Sequence, residues 1–469
     1  MPEIGTDRWV AEFESRRVRR EGPWGRLVDW TSRHWLGLFV VAAVVYPFVI
    51  GGDFGIRVGV NALLLAMLAI GLNVVVGYTG LLDLGYVAYY GLGAYGYAFL
   101  ASEQFGIHLP TLLVVGVVAL AVFGIGLVLG QPARRLVGDY LAILTLFFLQ
   151  VFVELALNLD RLDLPFVDGP VSITGGPNGI AGVDPMEIFG FRFGQVRDYY
   201  FLLLVLVVLL IVGVTNLARS RTGIGWRAIR EDTLAAEHMT IPSGRLKVLA
   251  YAFGAAVAAV SGTVFAAVQL GVFPQNFTVA LLIVVYAALV LGGEGSVPGA
   301  LVGALIIAMV PELLRTPAGA RLLFYGGLAV AALTLVKPRR RLLVVVPGIV
   351  ATGLAVRSLV TALWPDLVDV EASSMVDRWL VRFVPSADVV VSVLFIVTIA
   401  VVLGVVAVRR RGAKDTLVVV GVYLLVLVWE NRLVEEPSIT RQLLFGALLV
   451  VLMVARPHGL LGRPRVEVV

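Results

Sequence analysis

Apolar residues occupy this chain in long runs, not in the alternation of a half-buried strand or the three-and-four spacing of a soluble amphipathic helix. A bilayer core of about 30 Å takes about 20 residues of helix, because a helix pairs its own backbone amides and an unpaired one in hydrocarbon costs several kcal/mol. By that measure about fourteen runs are candidate spans: 36–50, 58–78, 83–101, 111–130, 139–158, 199–217, 248–268, 278–292, 299–314, 322–336, 342–363, 389–408, 416–429 and 442–455. Several fall short of a full crossing, which leaves room for re-entrant segments. The pattern predicts an all-α polytopic membrane protein.

Basic residues orient the spans, since loops that stay in the cytoplasm retain Lys and Arg. With the amino terminus inside, each basic cluster should follow an even-numbered span. Arg134 and Arg135 follow the fourth, and Arg219, Arg221, Arg227, Arg230, Arg245 and Lys247 the sixth. Lys337 with Arg339, Arg340 and Arg341 follows the tenth, Arg409, Arg410, Arg411 and Lys414 the twelfth, and Arg456, Arg463 and Arg465 the last. All five agree. The opposite loops are acidic: Asp160 to Asp198 and Trp364 to Asp388 each carry more acids than bases. Both termini are therefore expected on the cytoplasmic side of the cell membrane. Residues 1–35, rich in both arginine and acids, read as a cytoplasmic arm with an interfacial helix near Trp24, Trp30 and Trp35.

Composition narrows the function. Hydrophobic residues make up 59% and charged ones 15%, against roughly 45–50% and 25% in soluble proteins, which excludes a soluble multidomain enzyme. The absence of cysteine removes thiolate nucleophiles, thiolate zinc sites and iron–sulfur clusters. His34, His108, His238 and His458 lie too far apart for a helical metal pair. No catalytic, metal or cofactor site is expected, and the net charge of +5 comes from residues flanking spans, not from a nucleic-acid surface. Ionisable residues are nearly absent from the spans: Asp83, Asp139, Glu294 and Glu312 sit at span ends or turns, and Glu154 toward the outer end of its span. A proton- or sodium-coupled carrier would place an acid or a broken-helix ion site near the midplane.

Two motifs need sorting. Gly91, Gly93 and Gly96 satisfy the dinucleotide fingerprint G-x-G-x-x-G, but inside an apolar span, without the strand and helix amino terminus that motif requires. The three lysines, Lys247, Lys337 and Lys414, follow Leu246, Val336 and Ala413, so no Gly-Lys-Ser/Thr phosphate loop exists and any ATP must be hydrolysed by another chain. Gly295, Gly299 and Gly303 recur every four residues, a face on which helices approach closely, either fixed or as a sliding seam.

The longest inner loop between spans, Arg219 to Lys247, holds a predicted short helix from Arg230 to Ile241. Acids in its first turn suit the helix dipole, alanines favour helicity, and Pro242 and Gly244 stop it. Such a helix between two spans can act as a lever or lie as a plain surface helix.

This stretch resembles the coupling loop of ABC importer permeases, in which Glu-Ala-Ala-type residues dock into a groove of the ATPase subunit. Other segments resemble the branched-chain amino acid ABC transporter permease family, specifically its LivM-type subunit. They are Asn61 through Asn73 to Gly77, Thr79 to Ala88, Gly91 to Tyr97, Gly138 to Thr145, Thr174 to Ile180, Arg227 to Asp232 and Leu291 to Gly299. They run in order over about 60–338. The resemblance implies an ABC importer transmembrane-subunit fold of about ten core helices. It also implies ATPase contacts at Arg230, Glu231, Asp232, Ala235, Ala236 and Glu237. Thr240 stands where the family usually has glycine. The turn Thr174, Gly175, Gly176, Pro177 and Asn178 is a candidate outer gate or binding-protein contact, or a connector. The implied partners are a second homologous permease subunit, two ABC ATPase subunits, an extracytoplasmic substrate-binding protein and membrane lipid, with no nucleic acid.

The family's ending appears twice, as Arg321-Leu-Leu-Phe-Tyr-Gly326 running to Lys337-Pro338 and as Arg441-Gln-Leu-Leu-Phe-Gly446 running to Arg456-Pro457. Pro311 to Arg315 also compares loosely with Glu430 to Leu433. An insertion or terminal duplication of about 120 residues, adding four spans, accounts for this. The expected organisation is a cytoplasmic arm (1–35), a permease core (36–338) with its coupling loop (219–247), and a carboxy-terminal extension (339–469). The expected function is a permease subunit of an ATP-driven importer for branched-chain or similar amino acids. Urea, amides or another small solute as cargo, or a self-sufficient channel or secondary carrier, are the alternatives.

Overall fold

The computed structural model describes residues 23–462 apart from 51, 137, 161–171, 316, 336–341, 369–378, 385–387, 408–410, 434–445 and 447–458. Fifteen helices occur among the described residues: α1 Pro23–Val49, α2 Asp53–Leu72, α3 Tyr86–Leu100, α4 Thr111–Leu129, α5 Asp139–Asn158, α6 Val196–Arg219, α7 Arg221–Glu231, α8 Thr233–His238, α9 Ser243–Gln269, α10 Val279–Gly292, α11 Val297–Leu313, α12 Pro317–Leu335, α13 Leu342–Leu363, α14 Asp388–Ala407 and α15 Arg411–Val428. Thirteen of the predicted spans are helical; the run 442–455 lies outside the described residues except for Gly446. Among the described residues strands are two-residue pairs only, and the chain is an all-α polytopic membrane protein.

Boundaries shift where local chemistry demands it. The helix expected near Trp24, Trp30 and Trp35 is the first part of α1, which runs on into the first span, since nothing between Trp24 and Leu36 stops a helix once started. The helix expected from residue 83 starts at Tyr86, because α2 continues as a π-helical turn, Asn73–Tyr78, and the connection Thr79–Gly85 is irregular. Gly295 is not on the helix face shared by Gly299 and Gly303; it lies in the preceding turn at φ +77.

The chain forms two compact units, residues 1–309 with 451–469, and residues 310–450. In the first, α9 is the central helix, packing on α3, α4 and α2. Helices in lipid gain little from hydrophobic burial against one another, so close backbone approach has to hold them. Here glycine provides it. A Cβ on Gly93 would lie 2.5 Å from Ala259 Cα, and one on Gly126 2.8 Å from Ala252 Cα. Gly91 faces Phe152 and Gly96 faces Val118, so the apparent dinucleotide fingerprint is three packing contacts to three helices. Gly299 and Gly303 lie against α10 at Gly292 and Ala288.

The connections of this unit sort to two ends. One end gathers 79–85, 131–136, 220–242, 293–296 and 459–462. The other holds all three strand pairs: β1 Ala101–Ser102 with β2 Ile107–His108, β3 Ile180–Ala181 with β6 Gly271–Val272, and β4 Glu187–Ile188 with β5 Phe191–Arg192. His108 Nδ1 lies 2.6 Å from Asp184 Oδ2 at that end, on exposed surface.

In the second unit α15 ends in a π-helical turn, Trp429–Leu433. Glu430 there is buried and accepts hydrogen bonds from Arg321 Nε (3.1 Å) and Nη2 (2.9 Å) and from the Tyr325 hydroxyl (2.9 Å). Trp429 stacks on Phe324 with ring centroids 4.2 Å apart. Asn431 donates to the carbonyls of Val381 and Leu427 and accepts from Phe383 N–H.

Candidate functional site

The loop between α6 and α9 folds as two helices where one was expected. Asp232 is extended (φ −154, ψ 114), and its Oδ1 accepts the N–H groups of Leu234 (2.8 Å) and Ala235 (3.0 Å). A side chain that caps a helix start competes with helix interior, so Asp232 ends α7 and begins α8. The other end of α8 closes with Ile241 N–H on the Ala236 carbonyl (3.1 Å) and Thr240 N–H on the Glu237 carbonyl (2.9 Å). That closure needs a left-handed residue, usually glycine. Thr240 fills it at φ +63.

The base of the loop is fixed. Trp226 of α7 is fully buried and donates from Nε1 to the Leu246 carbonyl at 2.8 Å. Ile229 is buried beside it, and Ser243 donates a short hydrogen bond to Glu237. The tip is not buried: Glu231, Asp232, Ala235 and Glu237 are exposed, and Leu234 and Met239 are 70% and 77% exposed. Ala236 is buried and Arg230 is turned inward, its side chain 17% exposed. Four of the six sequence-predicted residues thus share an outward surface and two do not.

Arg230 reaches into a joint made from three separate motifs. Its Nη1 donates to the Gly77 carbonyl at the end of the π-helical turn, and its Nη2 lies 3.4 Å from Glu294 Oε2. Gly295 N–H donates to Asn73 Oδ1 at 2.8 Å. The joint is close-packed: a Cβ on Gly295 would sit 2.5 Å from Arg230 Nη1, one on Gly80 3.2 Å from Arg230 Cγ, and one on Gly77 2.6 Å from Gly295 N. The Gly459–Leu461 segment docks on the same turn, with Leu460 and Leu461 N–H groups donating to Leu291 and Gly292 carbonyls at 2.9 Å each. These bonds satisfy carbonyls that the end of α10 leaves open.

The connection Thr79–Gly85 beside this joint is held from several sides. The Tyr286 hydroxyl of α10 accepts from Asp83 N–H (3.0 Å) and donates to its carbonyl (2.7 Å); Leu84 N–H donates to Thr145 Oγ1 of α5 (2.9 Å). The Asp83 carboxyl is buried, with Oδ1 accepting from Gly85 N–H and Oδ2 unpartnered. Burial pushes its pKa up to about 7, against the pull of the Gly85 hydrogen bond. Asn73, Asp83, Tyr286 and Glu294 were not singled out as site residues from sequence, because only their convergence gives them a role.

At the opposite end, Thr174 is buried and its N–H donates to the Leu159 carbonyl; Gly175, Gly176 and Gly179 all have positive φ. Pro177 and Asn178 are exposed, and the Pro177 carbonyl accepts from Gln275 Nε2 at 3.0 Å. The turn thus clasps the end of α5 to the connection between α9 and α10.

The sequence profile of the family described as branched-chain amino acid transport system / permease component matches residues 56–357. The chain is 35% identical over 321 residues to the high-affinity branched-chain amino acid transport system permease protein LivM of Escherichia coli K12, covering 62% of this chain and 72% of that one. It is 29% identical over 259 residues to the corresponding permease protein BraD of Pseudomonas aeruginosa, covering 52% and 80%. LivH of Salmonella typhimurium is 28% identical over 262 residues, covering 53% and 80%. No solved structure matches. With seven ordered motifs, an all-helical membrane fold and this profile in agreement, the chain belongs to the branched-chain amino acid ABC transporter permease family, LivM-type.

Proposed function

We propose that this permease is one transmembrane half of an ATP-driven importer for branched-chain or similar amino acids. A second homologous permease completes the pathway, two separate ATPase subunits supply the energy, and an extracytoplasmic binding protein delivers the solute. The arginine-rich end faces the cytoplasm together with both termini. The permease core is 36–338 and the extension 339–469. The observation that carries the coupling is α8: a helix closed at both ends, fixed at its base by Trp226, with Glu231, Asp232, Ala235 and Glu237 around the exposed apolar side chains of Leu234 and Met239. Exposed apolar groups on an otherwise polar loop mark a docking surface. Arg230, Glu231, Asp232, Ala235, Ala236 and Glu237 belong to the coupling element, the exposed four toward the ATPase, and inward-turned Arg230 and buried Ala236 toward the permease. The turn Thr174 to Asn178 is the contact for the binding protein or an outer gate.

The paired variant Glu231→Arg with Leu234→Asp tests this. Neither side chain has an internal partner described above, so the permease should remain folded and monodisperse while ATPase subunits recovered with it fall at least fivefold. Native recovery of the ATPases with native uptake would refute the docking surface. Uptake by the purified permease in liposomes without any nucleotide hydrolase would refute the importer reading as a whole.

A further inference from the structure

We infer that Arg230 is the positioning residue that transmits movement of α8 into the membrane helices, and is not itself part of the ATPase-facing surface. This rests on the coupling role proposed above and deepens it. A lever is useful only if its displacement reaches the spans, and α8 has two routes inward: the start of α9, through the packing of α7 and the Glu237–Ser243 hydrogen bond, and Arg230 at the end of α7. The first route is a fixed base, with Trp226 buried against the start of α9. Arg230 is the second, one residue before the exposed Glu231 and two before the Asp232 break. Its guanidinium joins two elements distant in sequence, the Gly77 carbonyl that ends α2 and Glu294 in the turn between α10 and α11.

Both receiving elements are suited to discrete rearrangement. The six residues Asn73–Tyr78 form a π-helical turn, a geometry with weakened backbone pairing that occurs often at functional sites. The Gly292-Gly293-Glu294-Gly295 turn has two glycines at φ +111 and +77, conformations other residues rarely adopt. Asn73 Oδ1 on Gly295 N–H already ties these two elements together, so Arg230 pulls on a linked pair. The planar guanidinium suits the task because it serves two acceptors at once, whereas an ammonium acts from one point. Gly295 leaves the guanidinium its space, Gly80 leaves room for the Arg230 stem, and Gly77 allows the Asn73 and Gly295 contact to close.

The test uses the whole complex of permeases and ATPases in liposomes, reading the ATP hydrolysed per solute imported along with subunit stoichiometry. For Arg230→Ala we expect native recovery of ATPase subunits, basal hydrolysis within about twofold of native, and uptake reduced at least tenfold, so that the ratio of ATP to solute rises about tenfold. Arg230→Lys, which keeps the charge but one point of attachment, should raise the ratio two- to fivefold and decides the matter if Arg230→Ala is not recovered as a folded permease. A native ratio in either variant overturns the assignment. So does a folded Arg230→Ala permease that loses its ATPases, which would make Arg230 a docking residue. If the Glu231→Arg, Leu234→Asp variant keeps its ATPases while Arg230→Ala uncouples, the docking reading fails, and with it the statement that the movement Arg230 transmits is that of α8.

Discussion

Two residues hold backbone or charge in states their chemistry disfavours, and each gives a measurable expectation. Thr240 sits at φ +63, a left-handed conformation that costs an L-residue roughly 1–2 kcal/mol and is worst for a β-branched side chain. Glycine relieves that strain while losing about 0.5–1 kcal/mol through the entropy of its unfolded chain. Thr240→Gly should therefore stabilise the permease by about 0.5–1 kcal/mol, seen as a raised thermal unfolding midpoint, and Thr240→Val should not. Asp83 is the second case. Its folded pKa of about 7 lies above the ordinary value of 3.8, so the folded state binds the proton more tightly. The contribution of the neutral carboxyl is fully present below about pH 4 and is lost as pH rises through 7. Asp83→Asn, neutral throughout, should remove that loss: the difference in unfolding midpoint between native and variant should grow in the variant's favour from pH 4 to pH 8. A constant difference would mean the carboxyl titrates alike in both states. Thr240 was legible beforehand as a threonine at a glycine position; the burial of Asp83 was not, since its sequence position reads only as a span end.

At the scale of elements, glycines separate into two classes that composition cannot distinguish. Gly93 faces the Ala259 backbone, whereas no atom lies within 4 Å of a Cβ placed on Gly116 or Gly124 of α4. Gly93→Ala must push α3 from α9 or strain both, and overpacking of this kind costs about 1–3 kcal/mol. Gly116→Ala should be neutral or slightly stabilising, by virtue of helix propensity. Thermal unfolding of the two variants side by side checks this; equal midpoints would mean that α3 and α9 yield more readily than their packing indicates. The same contrast explains what was readable in advance. Long apolar runs fixed thirteen helices, because bilayer thickness and backbone pairing leave little freedom. The loop helix was foreseen but not its break, since Asp232 suits the first turn of one helix as well as the cap of another. The Arg230 joint was present only as three unconnected motifs: Asn73 to Gly77, Arg227 to Asp232 and Leu291 to Gly299. Glu430 was overlooked as a buried acid because it follows a predicted span. The loose likeness of Glu430–Leu433 to Pro311–Arg315 carried no hint of its pairing with Arg321.

For the molecule as a whole, sidedness links the joint to the proposed machine. If α8 meets ATPases, it must lie on the cytoplasmic side, and the strand pairs with the Thr174 to Asn178 turn must face outward. The arginine distribution argues for that direction, because positive loops resist translocation during insertion. The sorting of connections to two ends argues that the direction, once fixed for one loop, is fixed for all those in residues 1–309. The chain has no cysteine, so single cysteines can report position without background. Gln104→Cys and Glu187→Cys stand at exposed sites of the strand-bearing end; Gln131→Cys and His238→Cys stand at exposed sites of the other. In intact cells a membrane-impermeant maleimide should label the first pair and spare the second, and inverted vesicles should reverse the pattern. Labelling of His238→Cys from outside would turn the molecule over, placing α8 where no cytoplasmic ATPase could reach it. A mixed result, with one member of a pair labelled and the other not, would break the two-ended sorting itself and with it the linkage of Arg230, Gly77 and Glu294 at one membrane face.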